Sequence, residues 1–411
     1  MMSRVQPIFR VFSFLFLSLT VSVQAQTTPI AFIHASVIDG LQPAVIPDAT
    51  VVVENGRIVE VTRGGRPPIG AQVIDLEGKY LLPGLIDGHA HIASLAAARR
   101  ALSSGVTTAR SGNTYAFQDV ALREMVKQGA IPGPEIFAAV VFVTPDLEER
   151  ILADPRLARF HKGVETEEDL RYLIRINVDR GVDVIKTRGT ARAGLPNTDP
   201  RQQVYSEAQL RIIVDEAARH GKRVMVHAHG NEGALAAVKA GAWSIEHGTY
   251  LTEETLKLMK EKGTFLVPTY ATIFDLMTPG GEYDDVTLQL GGQHMEPRAA
   301  RMVQTAYRMG IKIVASTDAD YLPQGLTRVA HEVTHFVRLG MTAFEAIRSA
   351  TAVAAECLEI QNRTGTIKKG LEADLIVVEQ NPLIYIESIQ DPLVVMSNGV
   401  IALNRLPFGK N

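Results

Sequence analysis

The sequence predicts an α/β protein in which a (β/α)8 TIM-type barrel carries a small β-sandwich domain formed by the N- and C-terminal segments. Two observations lead to this prediction. The middle of the chain alternates short apolar strands with amphipathic helical stretches, as parallel barrels do. Both ends of the chain instead show β-branched runs separated by turn residues, which is typical of antiparallel sheets.

Composition restricts the class of protein. The chain has 411 residues, of which 46% are hydrophobic, and this length suits roughly two to three domains. Its net charge of -3 is spread without blocks of like charge, which argues against a nucleic-acid partner or a polybasic membrane patch. The single cysteine, Cys357, excludes internal disulfides. The composition therefore fits a globular α/β protein and excludes disordered chains, collagen and disulfide scaffolds.

The first 25 residues have the pattern of a secretory signal peptide. Arg4 and Arg10 precede an apolar run at 11–19, and small residues at 23–25 suit cleavage by signal peptidase. The run is shorter than the roughly 20 apolar residues that span a bilayer. The sequence thus predicts a mature chain that begins near Gln26, export to the periplasm or medium, and no stable membrane association after cleavage.

The two β-rich ends are predicted to form one domain. Asn55-Gly56 separates two β-branched runs, which is a strong hairpin signal. The same texture returns at 374–378 and 394–401. The predicted segments are a signal peptide at 1–25, a first β-sandwich part at 26–82, the barrel at 83–358 and a second β-sandwich part at 359–411.

Eight candidate strands define the barrel. The helical stretches between them include 206–220 and 253–262. The first candidate strand is not followed by a Gly-x-Gly-x-x-Gly motif, and the chain lacks a Walker-type lysine, so nucleotide-binding functions lose their main support. The candidate strands are 85–89, 106–109, 135–138, 182–186, 223–227, 244–247, 264–267 and 312–316.

Histidines collect where these strands end, and the carboxyl ends of barrel strands are where active sites lie. His89 and His91 flank one residue, so both imidazoles point to the same face of a strand. His227 and His229 repeat this spacing, and His247 ends the sixth candidate strand. These are five of the 11 histidines. The pattern predicts a metal site, and the spacing leaves open whether His227 or His229 is the ligand.

Asp318 follows the eighth candidate strand. At that position its carboxylate could bind a cation and accept a proton from bound water. The alternative is a side chain that caps the following helix.

Lys186 ends the fourth candidate strand. A charged ammonium cannot bind a cation, and burying it beside metal ions is costly. A lowered pKa would leave a neutral amine that takes up carbon dioxide, and the resulting carbamate could bridge two metal ions. The alternative is a lysine held in a salt bridge.

Several motifs of the chain carry a family resemblance. In combination they resemble the amidohydrolase superfamily, in its imidazolonepropionase-like branch with Xaa-Pro dipeptidases and ochratoxin-type amidases. The motifs are PGLIDGHAH at 83–91, VHAHG at 226–230, SIEHG at 244–248, STD at 316–318, GMT at 340–342, AIRSAT at 346–351 and GTIKKGLEADL at 365–375.

The resemblance implies two divalent metal ions, for which zinc is the default because the ligands offer nitrogen and oxygen. Imidazolonepropionase works with one metal and lacks the strand-four lysine, so Lys186 favours the two-metal amidases and peptidases of the branch. The implied ligands are His89, His91 and Asp318 for one ion, His227 and His247 for the other, and carboxylated Lys186 as the bridge.

We therefore predict a dinuclear amidohydrolase that cleaves the amide bond of dipeptides or N-acyl amino acids, including aryl amides such as ochratoxin-like substrates. A metal-bridging hydroxide would attack, Asp318 would act as general base, and His229 would steady the oxyanion. Arg188 could clamp a substrate carboxylate. The predicted substrate contacts are Tyr115, Arg188, Tyr250 and Tyr270.

Two other functions remain open. A cyclic amide (lactam or imidazolone) hydrolase or a deaminase could use the same barrel with one metal, and it would not need Lys186. A non-catalytic barrel scaffold would be expected to have lost ligands, whereas all six predicted ligand positions are filled. We also expect the protein to form a homo-oligomer.

Overall fold

The computed structural model describes residues 28–279, 284–323, 325 and 327–406. The predicted signal peptide lies outside these residues. Among the helices of the described ranges, none combines the length and the apolar character needed to cross a membrane.

Strands and α-helices alternate in the middle of the chain, whereas strands follow one another at both ends. The strands are β1 (Ile30–Val37), β2 (Ile46–Glu54), β3 (Arg57–Arg63), β4 (Gln72–Asp75), β5 (Tyr80–Pro83), β6 (Leu85–Ala90), β7 (Val106–Ser111), β8 (Glu135–Phe137), β9 (Val184–Arg188), β10 (Arg223–Ala228), β11 (Ser244–His247), β12 (Phe265–Val267), β13 (Leu375–Val378), β14 (Val394–Ser397) and β15 (Val400–Asn404). The α-helices are α1 (Leu95–Ser103), α2 (Gln118–Lys127), α3 (Glu167–Asp179), α4 (Glu207–Arg219), α5 (Asn231–Ala240), α6 (Glu253–Lys262), α7 (Thr272–Met277), α8 (Val286–Arg308), α9 (Val329–Arg338), α10 (Ala343–Ser349) and α11 (Ala352–Cys357).

Strands from both chain ends form one mixed sheet in the order β15-β14-β13-β5-β1-β2-β3, with β4 paired to β1. The ends meet where β5 and β13 pair antiparallel. The hairpin turn at Gly56 packs against the turn at Gly399, where an added Cβ would lie 2.5 Å from Gly56 Cα. Val51 of β2 and Val394 of β14 belong to the same buried core. One curved sheet thus joins the two ends, and its division into a two-layer sandwich stays a prediction.

The parallel strands lie in two sheets, β6-β7-β8 and β9-β10-β11-β12. Val184 N of β9 donates to Ala138 O, directly after β8, at 3.2 Å, and Val143 forms a parallel bridge with β9. Ile313 forms a parallel bridge with β12. The backbone N–H of Gly88 in β6 donates to Ala315 O at 3.0 Å, so the segment after α8 also contacts β6. Backbone contacts therefore connect the two sheets along both edges in a TIM-barrel-type α/β fold. A regular eighth strand at 312–316 does not form, and a closed eight-stranded ladder stays a prediction.

The helices cover the outside of the strands with one apolar face. Helix α4, at the predicted position, begins with a capping box in which Ser206 and Gln209 satisfy each other's backbone N–H groups. Leu210, Ile213 and Ala217 recur at three- to four-residue spacing and are buried. This packing holds the strands in place, and the strands position the side chains at their carboxyl ends.

Candidate metal centre

One cavity at the carboxyl ends of the parallel strands brings the predicted metal and catalytic residues together. His89 lies in β6, Lys186 in β9, His227 in β10 and His247 in β11, so each reaches the same end of the barrel. The lining also contains residues that the sequence did not single out, among them Phe142 and Arg192. Residues that line the cavity include His89, His91, Asn113, Phe142, Lys186, Arg192, His227, His229, His247, Thr269, Thr272 and Asp318.

Donor atoms in this cavity lie in two overlapping clusters, His227-His229-His247 and His89-His247-Asp318, each with its atoms within 4.8 Å of one another. Bonds of roughly 2.0–2.2 Å place the donors of one ion at most about 4.4 Å apart, so donors this close need only small side-chain shifts to bind one ion. Asp318 Oδ1 lies 3.2 Å from His89 Nε2. An imidazole lone pair and a carboxylate repel at that distance unless a proton or cation lies between them. The donor set therefore fits divalent cations.

A neighbouring group holds one ring nitrogen of each of the five imidazoles. Such contacts fix the ring orientation and leave the second nitrogen for the cavity, as is usual for histidines that bind metal. The fixed nitrogens and their partners are His89 Nδ1 with Glu246 Oε2 (2.8 Å), His91 Nδ1 with Asn113 O (3.0 Å), His227 Nε2 with Ala191 O (3.0 Å), His229 Nδ1 with Thr249 Oγ1 (2.8 Å) and His247 Nδ1 with Thr269 Oγ1 (2.7 Å).

Burial keeps most of these donors neutral. It lowers the pKa of His227 and of His247 well below the ordinary 6.5, and that of His229 to about 4. Burial also lowers the pKa of Lys186 to about 8. Neutral imidazoles present the lone pair that a metal ion requires. Both His227 and His229 meet this condition, so the choice between them as ligand stays open.

Asp318 is ionised in this environment. Burial alone would raise the pKa of its carboxyl, but the contacts with His89 and His91 outweigh burial and hold that pKa well below 3.8. Its Oδ1 lies 2.9 Å from His91 Nε2. A carboxylate in this state can bind a cation and accept a proton.

Backbone strain collects at the same end of the barrel. His247, Thr269 and Asp318 have φ values of 73°, 46° and 54°, in the left-handed region that residues other than Gly rarely adopt. Strained residues of this kind persist where the surrounding structure over-determines them, and they cluster at functional sites. Two of these three residues, His247 and Asp318, are also metal-donor candidates.

Two residues near the histidines escaped the sequence interpretation. A Cβ on Gly112 would lie 2.4 Å from His89 Nε2, so only glycine fits beside the ring. Asp87 is fully buried and accepts hydrogen bonds from Thr317 Oγ1 (2.6 Å) and Tyr321 Oη (2.7 Å). Asp87 thereby holds the segment that carries Asp318. The sequence signal that could have indicated Asp87 was a charged residue in the middle of a predicted apolar strand.

The structure places the arginine predicted to contact substrate at one side of the cavity. The Arg188 guanidinium packs on the ring of Phe142 at 4.7 Å from its centroid. Burial, with smaller effects from Arg192 and Arg150, lowers the pKa of Arg188 to about 10. Phe142 and Arg192 line the cavity, whereas Arg188 is not among the lining residues. Arg188 therefore lies in the layer next to the lining, and contact with substrate stays a prediction.

The three predicted tyrosines also lie away from the central lining. Tyr115 is 56% exposed and stacks under Arg150. Tyr250 lies in an adjoining groove that shares Ala193 and Met295 with the cavity. Tyr270 is buried, and its hydroxyl donates to Glu296. Their roles in substrate binding stay predictions, and Tyr250 is the one whose groove adjoins the cavity.

Fold and site together define a class of protein: a TIM-barrel-type α/β protein with buried nitrogen and oxygen donors at its strand ends. The chain belongs to the amidohydrolase family, whose sequence model matches residues 80–402. Members of this family are generally metal-dependent.

Three relatives show which branch of the family is similar. The ochratoxinase of Aspergillus niger is 31% identical over 355 residues, which cover 77% of this chain and 73% of the relative. The imidazolonepropionase of Symbiobacterium thermophilum is 26% identical and covers 82% of this chain and 84% of its own. A crystal structure of a Xaa-Pro dipeptidase with methionine in its active site superposes with a TM-score of 0.80 at 26% identity, covering 91% of this chain and 99% of that one. The predicted branch is confirmed, and the protein is a hydrolase that acts on carbon–nitrogen bonds.

Proposed function

We propose that the protein is a two-metal amidohydrolase that cleaves the amide bond of dipeptides or N-acyl amino acids, including aryl amides. One observation carries this proposal: a buried lysine lies among the strand-end histidines and Asp318 in a single cavity. The ochratoxinase and Xaa-Pro dipeptidase relatives support the substrate class.

The proposed division of the ligands between two ions follows the family resemblance, and zinc suits the nitrogen and oxygen donors. When bound, such a pair acidifies water and polarises the scissile carbonyl. The proposed ligands are His89, His91 and Asp318 for one ion, His227 and His247 for the other, and carboxylated Lys186 for both.

Lys186 has the environment that carboxylation requires. The residue is 2% exposed, and its Nζ lies 3.1 Å from His89 Nε2. Within the described residues no carboxylate lies in ion-pair contact with this Nζ, so the salt-bridge alternative has no support there. The neutral amine would add to carbon dioxide and release one proton, and the product carbamate would replace a buried unpaired cation by an anionic ligand. Burying an unpaired ammonium is costly, which favours this exchange.

Asp318 and His229 are proposed to carry the proton and the developing charge. The Asp318 carboxylate accepts a proton from the attacking water and returns it to the amide nitrogen as the C–N bond breaks. A positioned base of this kind contributes about 10² to 10⁴-fold to the rate. His229, whose Nδ1 is hydrogen-bonded to Thr249 Oγ1, presents Nε2 for the carbonyl oxygen.

Arg192 supplies the proposed contact with the substrate carboxylate. It lines the cavity beside Phe142, and Arg188 packs on the same ring. Among the described residues the Arg192 side chain has no ion pair with a carboxylate. Arg192 is close enough to Arg188 to lower its pKa, so the two guanidinium groups give this side of the cavity a positive charge that suits a free carboxylate next to the scissile amide.

Substrate screening tests this function. The zinc-loaded enzyme is assayed with Xaa-Pro and Xaa-Arg dipeptides and N-acyl aromatic amino acids, each beside its C-terminally amidated counterpart. We expect hydrolysis of at least one free-carboxylate substrate and a kcat/KM at least tenfold lower for its amidated form. Arg192→Met should remove that preference, whereas Arg63→Met, exposed at the end of β3, should keep it. Turnover of a lactone or an aminopurine without hydrolysis of any amide would contradict the proposal.

A further inference from the structure

A buried carboxylate contacts His89 at Nδ1, the ring nitrogen that points away from Lys186 and Asp318. Glu246 Oε2 lies 2.8 Å from His89 Nδ1, and the Glu246 side chain is fully buried. Glu246 precedes His247 in β11, whereas His89 lies in β6, so the contact joins the two parallel sheets.

Arg110 of β7 fixes this carboxylate from its other side. Its Nη2 lies 3.1 Å and 3.2 Å from the two Glu246 oxygens. Its Nε donates to Gly88 O at 2.7 Å, and its Nη1 donates to Ser244 Oγ at 3.1 Å. Arg110 is only 2% exposed. The carboxylate is thereby held in one position by groups from several strands.

The charge of Glu246 has a chemical consequence for His89. A carboxylate can only accept hydrogen bonds, so Nδ1 of His89 must carry the proton. The lone pair then lies on Nε2, the nitrogen that faces Lys186 Nζ and Asp318 Oδ1. A neutral residue at 246 would not enforce this tautomer. Buried ion pairs are weak contributors to stability compared with apolar packing, so stability alone does not account for this pair.

We infer that Glu246 is a positioning residue that sets the tautomer of His89 for metal binding, and that Arg110 holds Glu246 in register. The inference rests on the proposed two-metal function. Glu246 acts through His89 and does not itself line the cavity. Groups that orient a metal ligand in this way typically change metal affinity by about 10 to 100-fold.

The test compares Glu246→Gln with Glu216→Gln. Glu216 is also buried and bound by arginines, but it lies on α4, outside the cavity. Zinc dissociation constants are measured by competition with a chromophoric chelator, and the unfolding temperature of each metal-free protein is recorded. Glu246→Gln should weaken one of the two zinc sites by about 10 to 100-fold. The NH2 group of the Gln side chain would have to face another hydrogen-bond donor, either the Arg110 guanidinium or the Nδ1–H of His89. Glu216→Gln should keep wild-type affinity at both sites.

A double variant covers the case in which Glu246→Gln alone fails to fold. Arg110→Met combined with Glu246→Gln removes the buried charges together, so the metal-free protein should unfold at or above the wild-type temperature. One of its two zinc sites should still be weakened, as in Glu246→Gln. A folded variant without the Glu246 carboxylate that binds both ions with wild-type affinity would overturn the inference. Wild-type protein that binds no zinc would instead overturn the two-metal function on which the inference rests.

Discussion

At the scale of single residues, the site depends on close approach as much as on ligand chemistry. Gly112 follows β7, and its backbone N–H donates to Ala90 O at 2.6 Å. This bond brings the Gly112 Cα against the rings of His89 and His91. Any side chain at 112 would have to displace them, since an added Cβ falls 2.4 Å from one ring atom and 2.8 Å from another.

We predict that Gly112→Ala lowers zinc affinity by about 10 to 100-fold, the size of effect that follows when a metal ligand is moved. The fold should persist, because the clash falls on side chains at the cavity rather than on the backbone ladder. Competition with a chelator measures the affinity, and circular dichroism checks the fold. Gly291→Ala is the control, because a Cβ there meets nothing within 4 Å. Wild-type affinity in Gly112→Ala would contradict the prediction.

The residues that converge on the cavity could be predicted from the sequence, but the groups that support them could not. The strand-end histidines, Lys186 and Asp318 could be predicted because metal chemistry requires those residue types and strand alternation orients them. Their supports could not, because such contacts join distant positions: Glu246 meets a histidine 157 residues away. The predicted role of Arg188 as carboxylate clamp stays a prediction, and the sequence did not indicate that Arg192 of the following loop lines the cavity. Loop conformation does not follow from alternation.

At the scale of elements, helix α9 holds the loop that follows β12. Glu332 of α9 is fully buried and accepts the backbone N–H groups of Tyr270 (2.9 Å) and Ala271 (2.6 Å). The same loop carries Thr269, which contacts His247, and leads into Thr272 at the start of α7, which lines the cavity. Burial raises the pKa of Glu332 to about 8. The anchor of this loop therefore changes its charge within the accessible pH range.

The sign of the resulting pH dependence follows from proton binding. Folded Glu332 holds its proton up to about pH 8, whereas an unfolded glutamate releases it near 4.5. The contribution to folding is therefore fully present below about 4.5, decreases as the pH rises through that window, and is lost above about 8. Each unit of pKa difference corresponds to about 1.4 kcal/mol of unfolding free energy.

We predict that Glu332→Gln flattens the decline in stability between pH 5 and pH 8.5, because the amide does not titrate. Urea unfolding of wild type and variant at the two pH values measures the change. Glu261→Gln, on the exposed side of α6, should show the wild-type slope. Parallel pH profiles for wild type and Glu332→Gln would contradict the assignment of this dependence to Glu332.

The strands themselves were largely predictable, and the exception has a physical reason. The candidate strand at 312–316 bonds to both neighbours, since Val314 N donates to Leu266 O at 2.9 Å and Gly88 N donates to Ala315 O at 3.0 Å. A regular ladder does not continue, because Thr317 N donates to the Asp87 side chain at 3.1 Å and Asp318 adopts a left-handed backbone. A hydrogen bond between a side chain and the backbone leaves no trace in the hydrophobic periodicity of the sequence, so this end of the strand could not be predicted.

At the scale of the whole molecule, strands from the two chain ends form one sheet. Gly84 N donates to Asp374 O at 2.8 Å, next to the β5–β13 pair. The sequence indicated that the two ends associate because both have the same β-rich texture, and their division into a separate domain stays a prediction. The strand order could not be predicted, since alternation does not specify which strands are neighbours.

Export is a prediction for the whole molecule that rests on the first 25 residues alone. We propose that the chain is cleaved near Gln26 and released to the periplasm or medium. The intact mass of the exported protein should correspond to a start near residue 26, and Leu15→Arg should retain the protein in the cytoplasm because it interrupts the apolar run. An exported protein with the full-length mass would contradict cleavage at this position.

The number of metal ions in wild-type protein and in Lys186→Ala tests the central claim most directly, with amide hydrolysis measured on the same samples. We predict two ions per wild-type chain, and in Lys186→Ala at most one firmly bound ion and a loss of kcat/KM of about 100-fold or more, since the lysine supplies the ligand shared by both ions. Lys257→Ala, exposed on α6, should match wild type in both measurements. One ion per wild-type chain with unchanged hydrolysis in Lys186→Ala would contradict the two-metal account.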